Sequence, residues 1–157
     1  MMIKKKNRGF TLMELMIVIA IIAIMSSIAI PNFIGWLPER RLDAGAQDIL
    51  QGLQKSRSKA IMTNRNVIVT FDAGNNSFIA FVDEDASNDQ SAGDLTIANR
   101  NMPAGVDLGV PDFVDLGNTV TFDNRGLPST SGTVRLQNNN GTIQDIELYL
   151  SGHSVLN

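Results

Sequence analysis

The chain has 157 residues, no cysteine, 13 basic and 16 acidic residues, and a formal net charge of −3. That length holds one domain, and the lack of cysteine excludes disulfides, thiolate metal sites and a cysteine nucleophile, so the fold must be held by packing. Four of the 13 basic residues (Lys4, Lys5, Lys6 and Arg8) precede Phe10, leaving 9 basic against 16 acidic groups, or −7, a poor match for nucleic acid or anionic lipid.

The first element is apolar. From Phe10 to Ile30 the sequence has 21 residues and one charge, Glu14, and as a helix it would be roughly 32 Å long, the thickness of a bilayer's hydrocarbon core. Its Leu, Ile, Val and Phe residues together favour insertion by roughly 3 to 7 kcal/mol, against about 3 kcal/mol for a carboxylate at the helix centre and less near an end, where Glu14 lies. The segment therefore inserts despite Glu14, and an intramembrane carboxylate calls for a partner. The basic run before Gly9 keeps that end cytoplasmic and sends the remainder outward. A cut between Gly9 and Phe10 would place a new α-amino group beside Glu14, a cation of the right kind in the same helix or a neighbour.

Basic leader, Gly before the cut, Phe as first mature residue, Glu four residues on and Pro31 about six turns later resemble the signal and N-terminal helix of the type IV pilins and type II secretion pseudopilins, over residues 1 to 33. The resemblance implies that a prepilin peptidase cuts after Gly9, that the Phe10 amine is methylated, and that Glu14 pairs with the N-terminus of an adjacent subunit. It also implies a bacterial inner-membrane location with a periplasmic outer domain that then enters a filament.

After Pro31 the helical period resumes with one buried stripe, Leu42, Ala46, Ile49, Leu53 and Ala60, while charged residues fill the other faces. Pro31 and Pro38, with Gly35 between them, are expected to bend or loosen the helix. Trp36 is expected either as an interfacial aromatic or in the outer core. From Asn66 the pattern alternates, predicting strands at 66–71 and 77–83 around a Gly/Asn-rich loop, then at 95–102, 106–110, 119–123, 133–137, 143–150 and 153–156. The expected fold class is α+β, a long helix packed on a small antiparallel sheet, with a leader at 1–9, a helix at 10–64 that spans the membrane at about 10–30, and a β-rich domain at 65–157.

TFDNRGLPSTSG (121–132), the acidic insertion after the second strand, and the terminal IELYLSGHSVLN are similar to the GspH/FimT family of minor pseudopilins and pilins. On the residues alone, Asp123-Asn124-Arg125-Gly126 reads as a tight turn, with Gly126 taking positive φ. The loop DEDASNDQSAGD puts Asp83, Asp85, Ser87, Asp89, Ser91 and Asp94 at EF-hand ligand spacing, with Asn88 where Gly is usual and no flanking helices. Asp83, Asp85, Ser87, Asp89 and Asp94 are thus candidate Ca²⁺ ligands, and a solvated acidic loop is the alternative. No cofactor is required. His153 and the serines at 129, 131, 151 and 154 show no nucleophile or base spacing, so no catalysis is expected. Some members resembling this family are DNA-uptake pilins with arginines after the C-terminal Gly. Here that stretch is Gly152-His153-Ser154-Val155, and residues 136–157 contain no Lys or Arg. The expected function is a minor pseudopilin supporting protein export. A minor type IV pilin is the alternative, and a DNA-uptake pilin is less favoured. The expected partners are other pilin or pseudopilin subunits, the prepilin peptidase/methylase and membrane lipid, with no nucleic acid.

Overall fold

The computed structural model describes residues 10–114 and 117–157, without the side chains of Ile30, Pro31, Asn32 and Ile34. The expected leader at 1–9, with Gly9, lies outside the described residues. One helix, α1 (Leu12–Thr63), is followed by β1 (Val67–Asp72), β2 (Ser77–Val82), β3 (Leu95–Asn101), β4 (Val106–Leu108), β5 (Asp112–Phe113), β6 (Thr119–Phe122), β7 (Gly132–Asn138), β8 (Ile143–Leu148) and β9 (Ser154–Leu156). Pro31 and Pro38 do not end α1. The chain divides into two compact units, residues 1–37 and 38–157.

In the first unit, the window Leu12–Ala29 has a mean hydropathy of 2.5, and this chain buries none of it. The large apolar side chains from Leu12 to Ile28 are 45% or more exposed, so their transfer free energy is not recovered by packing within the described residues. Trp36 stays about half-exposed and outside the core, with its ring centroid 6.2 Å from that of Phe33.

The second unit has two antiparallel sheets where one was expected. The first is ordered β3-β2-β1-β6 and the second β4-β7-β8-β9, with β5 also pairing to β7. Alternation decides which side chains face inward. Val67, Val69, Phe71, Phe78, Ala80, Val82, Val120 and Phe122 of the first sheet and Val106, Leu108, Phe113, Val134, Leu136, Ile146 and Leu148 of the second join the expected helix stripe in one core. The seven-residue gap in that stripe, between Leu53 and Ala60, is filled by fully buried Ser56, whose hydroxyl donates to the Gly52 carbonyl at 2.8 Å. β5 has only two residues and no apolar alternation, so its pairing depends on β7 and not on its own sequence.

Helix and first sheet meet where Gly52 gives way to Phe78, since a Cβ on Gly52 would lie 2.6 Å from Phe78 Cε2 and 2.8 Å from Cζ. The Phe78 ring is buried and stacked 5.9 Å from Phe71, so it has nowhere to move. Alanine would gain about 1 kcal/mol of helix propensity, whereas overpacking a close-fitted core costs about 1 to 3 kcal/mol. Packing decides the sign, and Gly52→Ala should lower the thermal midpoint of a 38–157 fragment by several degrees. An unchanged or raised midpoint would show that the ring repacks freely.

Candidate functional site

Two places carry the functional residues read from the sequence, the start of α1 and the loop between β2 and β3. At the helix start, the Thr11 amide donates to Glu14 Oε2 at 3.4 Å and the Glu14 amide donates to Thr11 Oγ1 at 3.2 Å. This reciprocal pair is a capping box, Thr-x-x-Glu, which satisfies two of the amides that a helix N-terminus leaves without partners. The macrodipole further favours a carboxylate there, which lowers the cost of carrying Glu14 in an apolar segment. The Thr-x-x-Glu spacing is the sequence signal for this cap. Phe10, 84% exposed, is the residue before this cap.

In the β2–β3 loop, carboxylate oxygens of Asp83, Asp85 and Asp94 lie within 4.8 Å of one another. The loop's own amides draw them together. Asp83 Oδ1 accepts from the Ser87 amide at 3.1 Å and Oδ2 from the Asn88 amide at 3.3 Å, while Asp85 Oδ1 accepts from the Ser87 amide at 3.0 Å. Asp94 staples the two ends, accepting from the Glu84 amide at 2.9 Å and from the Ser91 amide at 2.6 Å. Asn88 has φ +63 and Ala86 φ +57, so Asn88 takes the left-handed conformation for which EF-hand loops use Gly. Of the expected ligands, Asp83, Asp85 and Asp94 converge. Ser87 contributes its amide, and its hydroxyl donates to the Asp89 carbonyl at 2.9 Å. The Asp89 carboxylate lies outside the convergent set. Three carboxylates with oxygen donors around them could hold a hard divalent cation. The amide bonds also explain the convergence without one.

Arg65 ties the helix end to this loop, with Nη1 3.1 Å from Glu84 Oε2 and 2.6 Å from the Glu84 carbonyl. In the 123–126 turn, Gly126 has φ +77, as the sequence requires, and Asp123 accepts from the Arg125 and Leu127 amides. His153 is exposed beside β9, and among the described residues its side chain bonds to no serine hydroxyl.

These loops share an electrostatic habit. The Ser91 and Glu84 amides hold the Asp94 carboxyl below its ordinary value, and the Leu127 amide and the Arg125 side chain do so for Asp123. A carboxyl whose folded value is depressed stabilises the fold above its unfolded value, and that contribution is lost as the pH falls through the folded value. The thermal midpoint should therefore stay level from pH 7 to about 5 and fall below about pH 4, with a shallower fall in Asp94→Asn. A fall that Asp94→Asn leaves unchanged would remove the loop from the account.

An α-helix with an uncovered apolar first part, a capped Glu14 near its start, and a second part packed on antiparallel sheets define a pilin-like protein. Comparison with known proteins gives the family. The sequence model described as Type II transport protein GspH matches residues 45–152, and that of the prokaryotic N-terminal methylation motif matches residues 4–30. The chain belongs to the GspH family. It is 31% identical over 136 residues to the pilin-like protein PilA1 of Thermus thermophilus, covering 83% of this chain and 85% of that one. With the type IV major pilin PilA of Myxococcus xanthus it shares 76% identity over 29 residues, spanning 13% of that protein. Two solved structures have the same fold. The minor pseudopilin EpsH from the type 2 secretion system of Vibrio cholerae has a TM-score of 0.62 at 13% identity, over 74% of this chain and 96% of that one. The type IV minor pilin FimU of Pseudomonas aeruginosa has a TM-score of 0.61 at 16% identity, over 76% and 90%.

Proposed function

We propose that this protein is a minor pseudopilin, a non-enzymatic subunit of a type II secretion pseudopilus that supports protein export. The observation that carries this reading is the GspH-family domain at residues 45–152 joined in one chain to the methylation motif at 4–30. On this reading a prepilin peptidase removes residues 1–9 and the Phe10 amine is methylated. Residues 10–30 hold the subunit in the inner membrane with the β-rich domain outside, and Glu14 pairs with the Phe10 amine of a neighbour once the subunit enters the filament. The Thr11 amide engages Glu14 Oε2, and a carboxylate has further acceptor capacity to offer an incoming ammonium. A minor type IV pilin is the second reading, favoured by the likeness to PilA1 and FimU. DNA uptake has less support, because residues 136–157 carry Asp145 and Glu147 and no Lys or Arg.

Glu14→Leu tests the subunit role. A plain anchor tolerates the change, since losing a charge favours insertion. In a filament the neighbour's amine would be buried without its counter-ion, a cost of several kcal/mol, enough to cut incorporation about a hundredfold. The expected outcome is a protein that is inserted, shortened by residues 1–9 and methylated by intact mass, yet absent from sheared filaments, with export reduced. Incorporation at wild-type level would defeat the pairing, and recovery of only full-length wild-type chain from cells with an active peptidase would defeat the processing. Loss of piliation with export intact would favour the type IV pilin reading.

Ca²⁺ enters the same proposal as a weak ligand of Asp83, Asp85 and Asp94. At ten times Kd it would add about 1.4 kcal/mol, so millimolar Ca²⁺ should raise the thermal midpoint by several degrees over chelator, and Asp83→Ala should abolish the difference. Identical melts would leave the solvated loop, held by its own amides.

A further inference from the structure

The two sheets differ in what their edges offer. In the second sheet, β9 has three residues and β4 and β5 have three and two. In the first sheet, β6 is closed by the segment after it, where the Ser129 amide donates to the Thr121 carbonyl at 2.7 Å and the Thr121 amide donates to Ser129 Oγ at 3.1 Å. β3 is different. It has seven residues, β2 on one side and, among the described residues, no backbone hydrogen bond on the other. A free edge of that length is a template for another strand, and charge, proline or a bulge limits how much of it can pair. β3 has no proline; a bulge at Ile97, where its register with β2 shifts, and one charge, Arg100, restrict the edge, and Ala98–Asn101 is the stretch that stays in continuous register with β2.

Beside this edge lies an open groove of about 490 Å³ lined by Gln51, Lys55, Ser58, Lys59 and Met62 of α1 together with Ile97. Met62 is 79% exposed, and Leu95, half-exposed, adds to the apolar surface of β3. Lys55 and Lys59 stand one turn apart, and among the described residues neither makes an ion pair. Like charges at that spacing repel. The last turn of α1 contains no basic residue, so the helix dipole, which acts over that turn, does not account for the pair. Arg100 is in register with core-facing Phe78 and so shares the sheet face that packs on α1. A row of backbone donors and acceptors, an apolar strip and two cations, Lys55 and Lys59, thus adjoin one another, with Arg100 further along the same strand, in a chain whose residues 10–157 carry a net charge of −7.

We infer that the β3 edge and this groove take an extended acidic segment of a neighbouring, non-identical filament subunit as an added strand. Its backbone pairs with β3, an apolar side chain enters between Met62 and Ile97, and its carboxylates meet Lys55 and Lys59. The inference names a partner contact of the subunit role proposed above and rests on it. Charge complementarity selects the occupant. The acidic run at 83–94 of a second copy is unsuitable, because Asp83, Asp85 and Asp94 fold it back onto its own amides.

The test uses the full chain in cells of its own source that carry the export machinery. A photoreactive p-benzoylphenylalanine is placed at Asn99 on β3 or, as control, at Asn140 in the β7–β8 turn. Irradiation at Asn99 should trap another pilin-like subunit through an acidic segment, identified by mass spectrometry. The adduct should fall about tenfold or more in Lys55→Glu/Lys59→Glu and persist in Lys55→Arg/Lys59→Arg, with the thermal midpoint of both doubles held near wild type to show that they fold. An adduct that survives the Glu double, a trapped second copy of this chain, or the same adduct from Asn140 would overturn the inference. Wild-type chain that shears off with other subunits but gives no lysine-dependent adduct at Asn99 overturns the groove alone. Wild-type chain that never shears off with them overturns the subunit role itself.

Discussion

One stripe on α1 joins the layers of the outer domain. Leu42, Ala46, Ile49, Leu53, Ser56 and Ala60 are all 1% exposed or less and belong to the face that two sheets share. With no cysteine, that burial is a noncovalent link between sheets whose strands share no ladder among the described residues, and Phe71 of β1 adds a direct one, its ring centroid 5.7 Å from that of Phe113 of β5. Polar ties then fix the register. Arg41 donates to the Ala104 carbonyl at 3.1 Å, Gln144 donates to Asp43 at 2.7 Å, and Arg57 donates to the Gly152 carbonyl at 3.0 Å. Each joins the helix to a different loop or strand, so sliding the helix along the sheets would break all three and misplace Phe78 from Gly52.

The same helix meets an opposite demand in its first part, where the apolar window Leu12–Ala29 is unburied among the described residues. Such a segment leaves apolar surface that an apolar surrounding would cover, as in membrane-anchored pilin-like proteins. The Glu14 carboxylate belongs to a cap within its own chain, which satisfies helix amides and places the charge at a helix N-terminus.

Carboxylates do similar local service throughout the β-rich domain. Asp72 closes the β1–β2 turn on Asn75, Asp123 closes the 123–127 turn, and Asp83, Asp85 and Asp94 close the long loop. Such turns order a surface without adding to the core, and so let a small domain present long loops. They use five of the 15 acidic residues of 38–157, while Lys55 and Lys59, in no ion pair among the described residues, stand beside β3.

The sequence alone determined the apolar helix, its lone Glu14, the stripe from Leu42 to Ala60, and the eight strands with readable alternation or turn residues. Those features depend on period and local chemistry, which neighbours in sequence carry. Gly126 at φ +77 and the two Asn/Gly hairpin turns were legible for the same reason. Only the tertiary structure decided the rest. The division into two sheets and the two-residue β5 depend on pairing between segments far apart in sequence, which no window of residues encodes. Within the acidic loop the spacing put six residues at alternating positions, but backbone amides draw together the carboxylates of Asp83, Asp85 and Asp94 and leave Asp89 outside that set. The edge of β3, open among the described residues, depends on which strands pair with which, because an edge is a property of the sheet and not of the strand.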